Sequence, residues 1–157
     1  MVQSKSTSRL SRISQAIILT QTDTTVGFVS KNDVKLQAIK SRPPSKPFLK
    51  VFTSNKKLLA SHIRIPQKYK NTLRRAKKTS FVVKSTAFRI ANYPSNSQLL
   101  RNLQWTYSTS ANASGEKFSF DFCEDKTDII VHDKEGFSEN SSSTLLKINN
   151  SKKVRLR

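Results

Sequence analysis

One cysteine, Cys123, stands in the whole chain. That excludes an internal disulfide and a cysteine-based zinc site. Between Phe122 and Glu124 it reads as a small buried residue, not a nucleophile. Histidine is almost as scarce: His62 and His132 lie far apart without ligand spacing, and both read as structural or surface groups. Apolar runs are short (residues 16–19, 81–83, 129–131 and 145–148), and none approaches the roughly 20 residues of a membrane-spanning helix. Residues 1–15 are rich in Ser, Thr, Lys and Arg and lack the apolar core of a secretory signal. They are expected to form a basic, flexible leader ahead of one domain over residues 16–157, in a cytoplasmic protein with no membrane partner.

Acid is the most informative absence. Between residues 34 and 115 there is no Asp or Glu, against 17 Lys and Arg, and only Asp23 and Asp33 precede that stretch. Residues 116–139 then carry eight acids and three bases. With a net charge of +19, the middle of the chain presents a field that attracts polyanions such as RNA or nucleotides. A lysine-biased, solvated face accounts for the same composition. No aromatic-rich RNA-recognition string accompanies the charge, so no base-specific readout is implied.

What is present reads as alternating strands and helices. Residues 16–20 form a buried strand followed at once by polar residues. An N-cap within Ser30-Lys31-Asn32-Asp33 leads into a short helix over residues 34–39, which the proline-rich residues 42–47 end. Further strands are expected over 48–52, 80–83, 87–90, 105–108, 128–131, 144–148 and 154–156, with helices over 54–61, 66–76 and 95–103. Residues 118–123 are ambiguous, and 134–143 read as a polar loop. This pattern predicts a single α/β domain with a twisted mixed, largely parallel sheet flanked by helices.

Three polar strings stand out: Gln21-Thr22-Asp23-Thr24-Thr25-Val26-Gly27, Lys40-Ser41-Arg42, and Ser108-Thr109-Ser110-Ala111-Asn112. They are rich in hydroxyls, amides and cations and poor in catalytic bases. Hydroxyls at a strand end can bond an ammonium, a carboxylate or a phosphate. A lysine point charge beside an arginine fork can grip polyphosphate. Taken singly, each has an ordinary reading: a Thr-rich turn, a basic helix end that complements the macrodipole, and a polar turn or cap.

Their order and spacing resemble the YrdC/TsaC family of threonylcarbamoyl-AMP synthases. There a strand leads to Pro-Thr-Glu-Thr, a helix to Lys-x-Arg-Pro, a strand carries Val-Arg-Val, and another leads to Ser-x-Ser-Ala-Asn-x-Ser-Gly. The counterparts here are Gln21-Thr22-Asp23-Thr24, Lys40-Ser41-Arg42-Pro43, Phe88-Arg89-Ile90, and Ser108-Thr109-Ser110-Ala111-Asn112-Ala113-Ser114-Gly115. The resemblance covers residues 16–132. Gln21 replaces Pro, Asp23 replaces Glu, Ala91 replaces the Pro after the arginine strand, and Arg75-Ala76-Lys77-Lys78 stands where a Trp-Pro-Gly-Pro turn occurs.

The resemblance implies formation of threonylcarbamoyl-AMP and pyrophosphate from L-threonine, bicarbonate and ATP, with Mg²⁺ carried on the ATP. The product would pass to downstream threonylcarbamoyl transferase proteins that modify tRNA. Thr24, Arg89 and Ser108 would hold threonine. Lys40, Arg42, Ser85, Ser110 and Asn112 would hold ATP. Threonine carbamate attacking the α-phosphorus needs alignment and charge neutralisation more than a protein nucleophile. The alternative is a non-catalytic protein of the same fold that binds tRNA or other RNA through residues 34–115.

Overall fold

The computed structural model describes residues 9–91 and 98–157. Tight reversals set the direction of much of its sheet. Strand β1 (Ile18–Gln21) turns into β2 (Val26–Ser30) through Thr22, whose hydroxyl accepts from the amides of Thr24 (3.3 Å) and Thr25 (3.2 Å) and donates to the Thr25 carbonyl (2.6 Å). The side chain thus stands in for backbone partners in the turn. Strands β4 (Thr79–Val83) and β5 (Thr86–Ile90) are joined by Lys84-Ser85, with Lys84 at φ 54°. Between β8 (Thr144–Ile148) and β9 (Lys153–Arg155), Asn149 Oδ1 accepts from the amides of Ser151 and Lys152 at 2.8 Å each.

With β3 (Leu49–Phe52), β6 (Trp105–Ser110) and β7 (Ile129–Val131), these strands form one sheet in the order β7-β1-β2-β6-β3-β5-β4-β8-β9. The sheet is mixed, as expected. Its parallel pairs are β1–β7, β3–β5 and β4–β8, and its antiparallel pairs are β1–β2, β2–β6, β3–β6, β4–β5 and β8–β9. Short connections between consecutive strands permit only antiparallel pairing, whereas parallel pairs need crossovers, so the hairpins raise the antiparallel share.

Helices α1 (Arg9–Ser14), α2 (Asp33–Lys40), α3 (Asn55–Leu59), α4 (Lys70–Arg75), α5 (Gln98–Asn102) and α6 (Phe120–Glu124) complete the described structure. None of them is long and apolar enough to cross a membrane. Pro66 caps a 3-10 turn (Gln67–Tyr69) that precedes α4, so the single helix expected over 66–76 is split. The ambiguous stretch resolves as α6, capped by Ser119. The expected helix over 95–103 is present from Gln98; residues 95–97 lie outside the described residues. Strand β2 has no counterpart among the strands expected from sequence, since it directly follows a polar string and contains Gly27. Part of the supposed leader is also structured. Arg9–Ser14 is helical, Ile13 packs against the core, and the Lys31 amide donates to the Ser14 carbonyl at 3.0 Å.

Both faces of the central strands are covered. On one face Ile18, Val29, Val51, Leu100 and Leu103 form a cluster. On the other, Leu19, Phe28 and Leu36 form a second, and Phe52, Phe81 and Phe88 a third. Those four phenylalanines are at most 2% exposed, and each buried ring contributes roughly 2–3 kcal/mol. Strand alternation therefore assigns each functional residue to a face: Leu49, Val51, Arg89, Ser108 and Gly27 share the first, while Lys50, Phe52, Phe88 and Tyr107 share the second.

Candidate functional site

On the first face the sheet opens into a cavity of about 410 Å³. Thr24, Arg42, Arg89, Ser108 and Ser110, five of the residues expected from sequence, line it. Register explains the convergence. Gly27 pairs with Ser110, Leu49 with Ser108, and Val51 with Arg89, so β2, β6, β3 and β5 turn these side chains to one side. Gly27 supplies space: a Cβ there would lie 3.0 Å from the Thr109 carbonyl oxygen and 3.2 Å from Thr22 Cγ2. Its backbone angle is unexceptional, so close approach is the reason for glycine here.

Arg89 is 3% exposed. Its Nη1 donates to Thr24 Oγ1 at 3.3 Å, and its Nη2 lies 3.3 Å from Asp23 Oδ1. Asp23 is more open, with a side-chain exposure of 19%. The first string and Arg89 thus form one buried charge-bearing unit with its fork held at the cavity.

The second string ends α2. Asn32 caps the start of that helix, accepting from the Lys35 amide at 3.0 Å, and Ser41 ends it in the left-handed region at φ 46°. The chain reversal aims Lys40 at the third string. Its Nζ donates to Asn112 O (2.6 Å), Asn112 Oδ1 (2.7 Å) and Ser110 O (3.1 Å). Ser110 Oγ donates to the same Asn112 Oδ1 at 2.7 Å. Burial, followed by the neighbouring Arg42 charge, lowers the Lys40 pKa, and the Cys123 thiol acts weakly in the opposite sense. Arg42 Nη2 donates to Pro47 O at 3.3 Å and its guanidinium lies 4.9 Å from the Phe48 ring centre. Its Nε is buried with no hydrogen-bond partner among the described residues, a donor that a ligand oxygen would satisfy.

Ser85 does not join this group. It lies in the β4–β5 turn and lines a different cavity, of about 700 Å³. It lies four positions before Arg89, and at roughly 3.3 Å per residue that span carries it out of reach. Ser80 is the serine of this hairpin that lines the site cavity; its Oγ lies 2.9 Å from Ser143 Oγ, both buried. Arg157 also lines the cavity, and its Nε donates to Ser143 O at 3.2 Å. Ser80, Ser143 and Arg157 carry no local motif, so only the β4–β8 pairing reveals them.

Gln21, a departure from the family string, pins the polar loop. Its Oε1 accepts from the Ser138 amide at 2.9 Å, and its Nε2 donates to Ser138 O at 3.3 Å. Cys123 is fully buried, its thiol donates to Ala111 O at 3.3 Å, and burial pushes its pKa up. That matches an inert packing residue. His62 lines the larger cavity, and His132 leans on Phe137 with ring centres 5.7 Å apart.

No protein-family model matches the sequence, and none of the curated proteins is significantly similar to it. Solved structures do resemble it. P. abyssi Sua5 complexed with L-threonine superposes with a TM-score of 0.72 at 17% identity, covering 90% of this chain and 50% of that one. YciO of E. coli gives a TM-score of 0.72 at 17% identity over 91% of this chain and 82% of its own. Full-length HypF in its phosphate- and nucleotide-bound form gives 0.67 at 15% identity, covering 90% of this chain and 26% of that chain. The chain thus spans about half the length of the Sua5 chain. The α/β fold that carries this cavity is the YrdC-like fold of Sua5 and YciO.

Proposed function

We propose that the chain is an L-threonylcarbamoyladenylate synthase, a nucleotidyltransferase that makes threonylcarbamoyl-AMP and pyrophosphate from L-threonine, bicarbonate and ATP. The observation that carries this reading is the meeting of the three strings and Arg89 at one cavity of about 410 Å³. The Sua5 neighbour bound to L-threonine and the nucleotide-bound HypF neighbour support it.

Arg89, with Thr24 and Ser108 beside it, takes the threonine carboxylate; a buried guanidinium fork is the group best suited to a planar carboxylate. Arg42 and Lys40 meet the phosphates. All three Lys40 protons are already donated, so phosphate is reached by exchanging the longest bond, to Ser110 O. Ser110 and Asn112 then face the nucleotide. In the reaction a carbamate oxygen bonds to the α-phosphorus while the bond to the leaving pyrophosphate oxygen breaks. The chain's part is to align the two and to offset charge on the leaving group.

Among the described residues no group of three His, Cys, Asp or Glu side chains could hold a metal ion, and the nearest carboxylate, Asp23, is engaged with Arg89. This donor set fits Mg²⁺ that arrives on the nucleotide phosphates, as Mg²⁺ usually does. Bound there, the ion would neutralise phosphate charge.

The test is pyrophosphate release by purified protein given ATP, L-threonine and bicarbonate. Release is expected to need all three and to fall sharply in Arg42→Ala. Folded protein that releases pyrophosphate equally well without threonine, or none at all, overturns the proposal.

A further inference from the structure

The cavity of about 700 Å³ lies on the other face of the sheet. Lys50 and Phe52 of β3 alternate with Leu49 and Val51, so they point away from the Arg89 side, and Trp105 and Tyr107 pair opposite them. Lys57 of α3, Arg64 beyond it, and Lys84 from the β4–β5 turn close the rim together with His62. No Asp or Glu lines this cavity. Both ion pairs among the described residues lie elsewhere, at Lys35–Asp128 and Arg89–Asp23. Four basic side chains drawn from residues 50 to 84 thus converge without a carboxylate to balance them.

Aromatic rings hold part of this charge in place. Lys50 Nζ lies 4.2 Å from the Trp105 ring centre and 5.8 Å from that of Tyr107, and Lys31 Nζ lies 5.2 Å from Trp105. The two rings meet edge-on, 5.3 Å apart at 84°. A cation held over an aromatic face loses less freedom when it meets an anion. Lys84 and Arg64 are exposed and Lys57 half-exposed, so long, mobile stems ring a fixed floor.

This arrangement does not resemble a compact phosphate pocket, in which backbone amides form a nest around one anion. Charges spread around an open trough suit phosphates that follow one another along a flexible chain. We propose that this face binds the phosphodiester backbone of single-stranded nucleic acid, at a site separate from the Arg89 cavity. The proposal stands on this cavity alone and does not depend on the synthase reading.

The test is fluorescence anisotropy with a labelled twelve-nucleotide uridine RNA and its thymidine DNA counterpart. Four phosphate contacts predict a log–log salt slope of about −2.8, so affinity falls roughly fiftyfold between 50 and 200 mM salt. The triple variant Lys57→Glu, Arg64→Glu, Lys84→Glu should lose at least about tenfold in affinity and flatten the slope by about 2. A control triple of equal charge change, Lys126→Glu, Lys134→Glu, Lys152→Glu, should bind within about twofold of the parent. Both triples should keep the parent's threonine-dependent pyrophosphate release, or its absence, which separates this proposal from the synthase reading. Preferential binding of the RNA assigns the natural strand as RNA, and equal binding of both oligomers assigns recognition to the phosphates alone; either supports the proposal. It is overturned if neither oligomer binds, if the cavity triple binds normally, or if the control triple is weakened equally. Competition by inorganic triphosphate at equal phosphate concentration would also overturn it, by indicating a compact anion site.

Discussion

Replacing Arg89 by methionine keeps most of the buried volume and removes the charge. In the parent protein the guanidinium lies 3.3 Å from both Thr24 Oγ1 and Asp23 Oδ1, at 3% exposure. If it receives the threonine carboxylate, the loss is that of a charge-assisted bond, about 3 kcal/mol, which corresponds to on the order of a hundredfold in Kd. Stability should respond much less. Removing one partner of a buried pair can cost about 3–5 kcal/mol when the other charge stays buried. Here Asp23 retains 19% exposure and can regain water, and the methionine chain adds apolar contact, so a cost of about 1–2 kcal/mol is expected. Calorimetric titration with L-threonine measures the first quantity and urea unfolding the second. Arg89→Lys, which keeps the charge but loses the fork, should fall between parent and Arg89→Met in threonine affinity. Arg89→Met that unfolds normally yet binds threonine within twofold of the parent would refute the assignment of Arg89 to the carboxylate.

Other perturbations probe the remaining parts of the site. Burial and then Arg42 lower the Lys40 pKa in the folded protein. Unfolded chain therefore holds the proton to higher pH, and this residue's contribution to stability rises with pH between its lowered value and the ordinary 10.5. Phosphate needs the protonated form, so ATP affinity should fall as pH climbs through the lowered value, and Lys40→Met should flatten that profile in ATP titrations. Gly27→Ala places a Cβ 3.0 Å from the Thr109 carbonyl, a backbone atom that cannot swing aside. A loss of about 1–3 kcal/mol in urea unfolding is expected, with weaker threonine binding. Ser85→Ala should leave threonine affinity and pyrophosphate release unchanged in side-by-side assays, because Ser85 lines the other cavity; a large drop would relocate the nucleotide site.

The strings were legible because each is a local device. The Thr22 hydroxyl builds its own turn, Asn32 caps α2, and Ser41 ends that helix just where Lys40 and Arg42 need to diverge. The buried strands were legible from their apolar runs, and β2 was not, because its apolar residues follow a polar string without a break. Ser85, four positions before Arg89 in sequence, sits in the turn ahead of a strand that begins only at Thr86, and it lines the other cavity. Ser143 and Arg157 reach the cavity through pairing of β8 with β4, a contact between segments more than sixty residues apart that leaves no local trace.

The amino-acid sequence by itself determined the electropositive field, the absence of an internal disulfide or a cysteine-based zinc site, and the identity of the groups available to bind a carboxylate and phosphates. These follow from residue type and neighbours alone. Tertiary structure decided which groups work together. Lys40 meets Asn112 across 72 residues of chain, and Arg89 meets Thr24 across 65. Leu49 and Lys50, adjacent in sequence, open onto two different cavities. The physical reason is the two-residue period of a strand: one step along the chain changes the face, and only the sheet's register says what waits on each side.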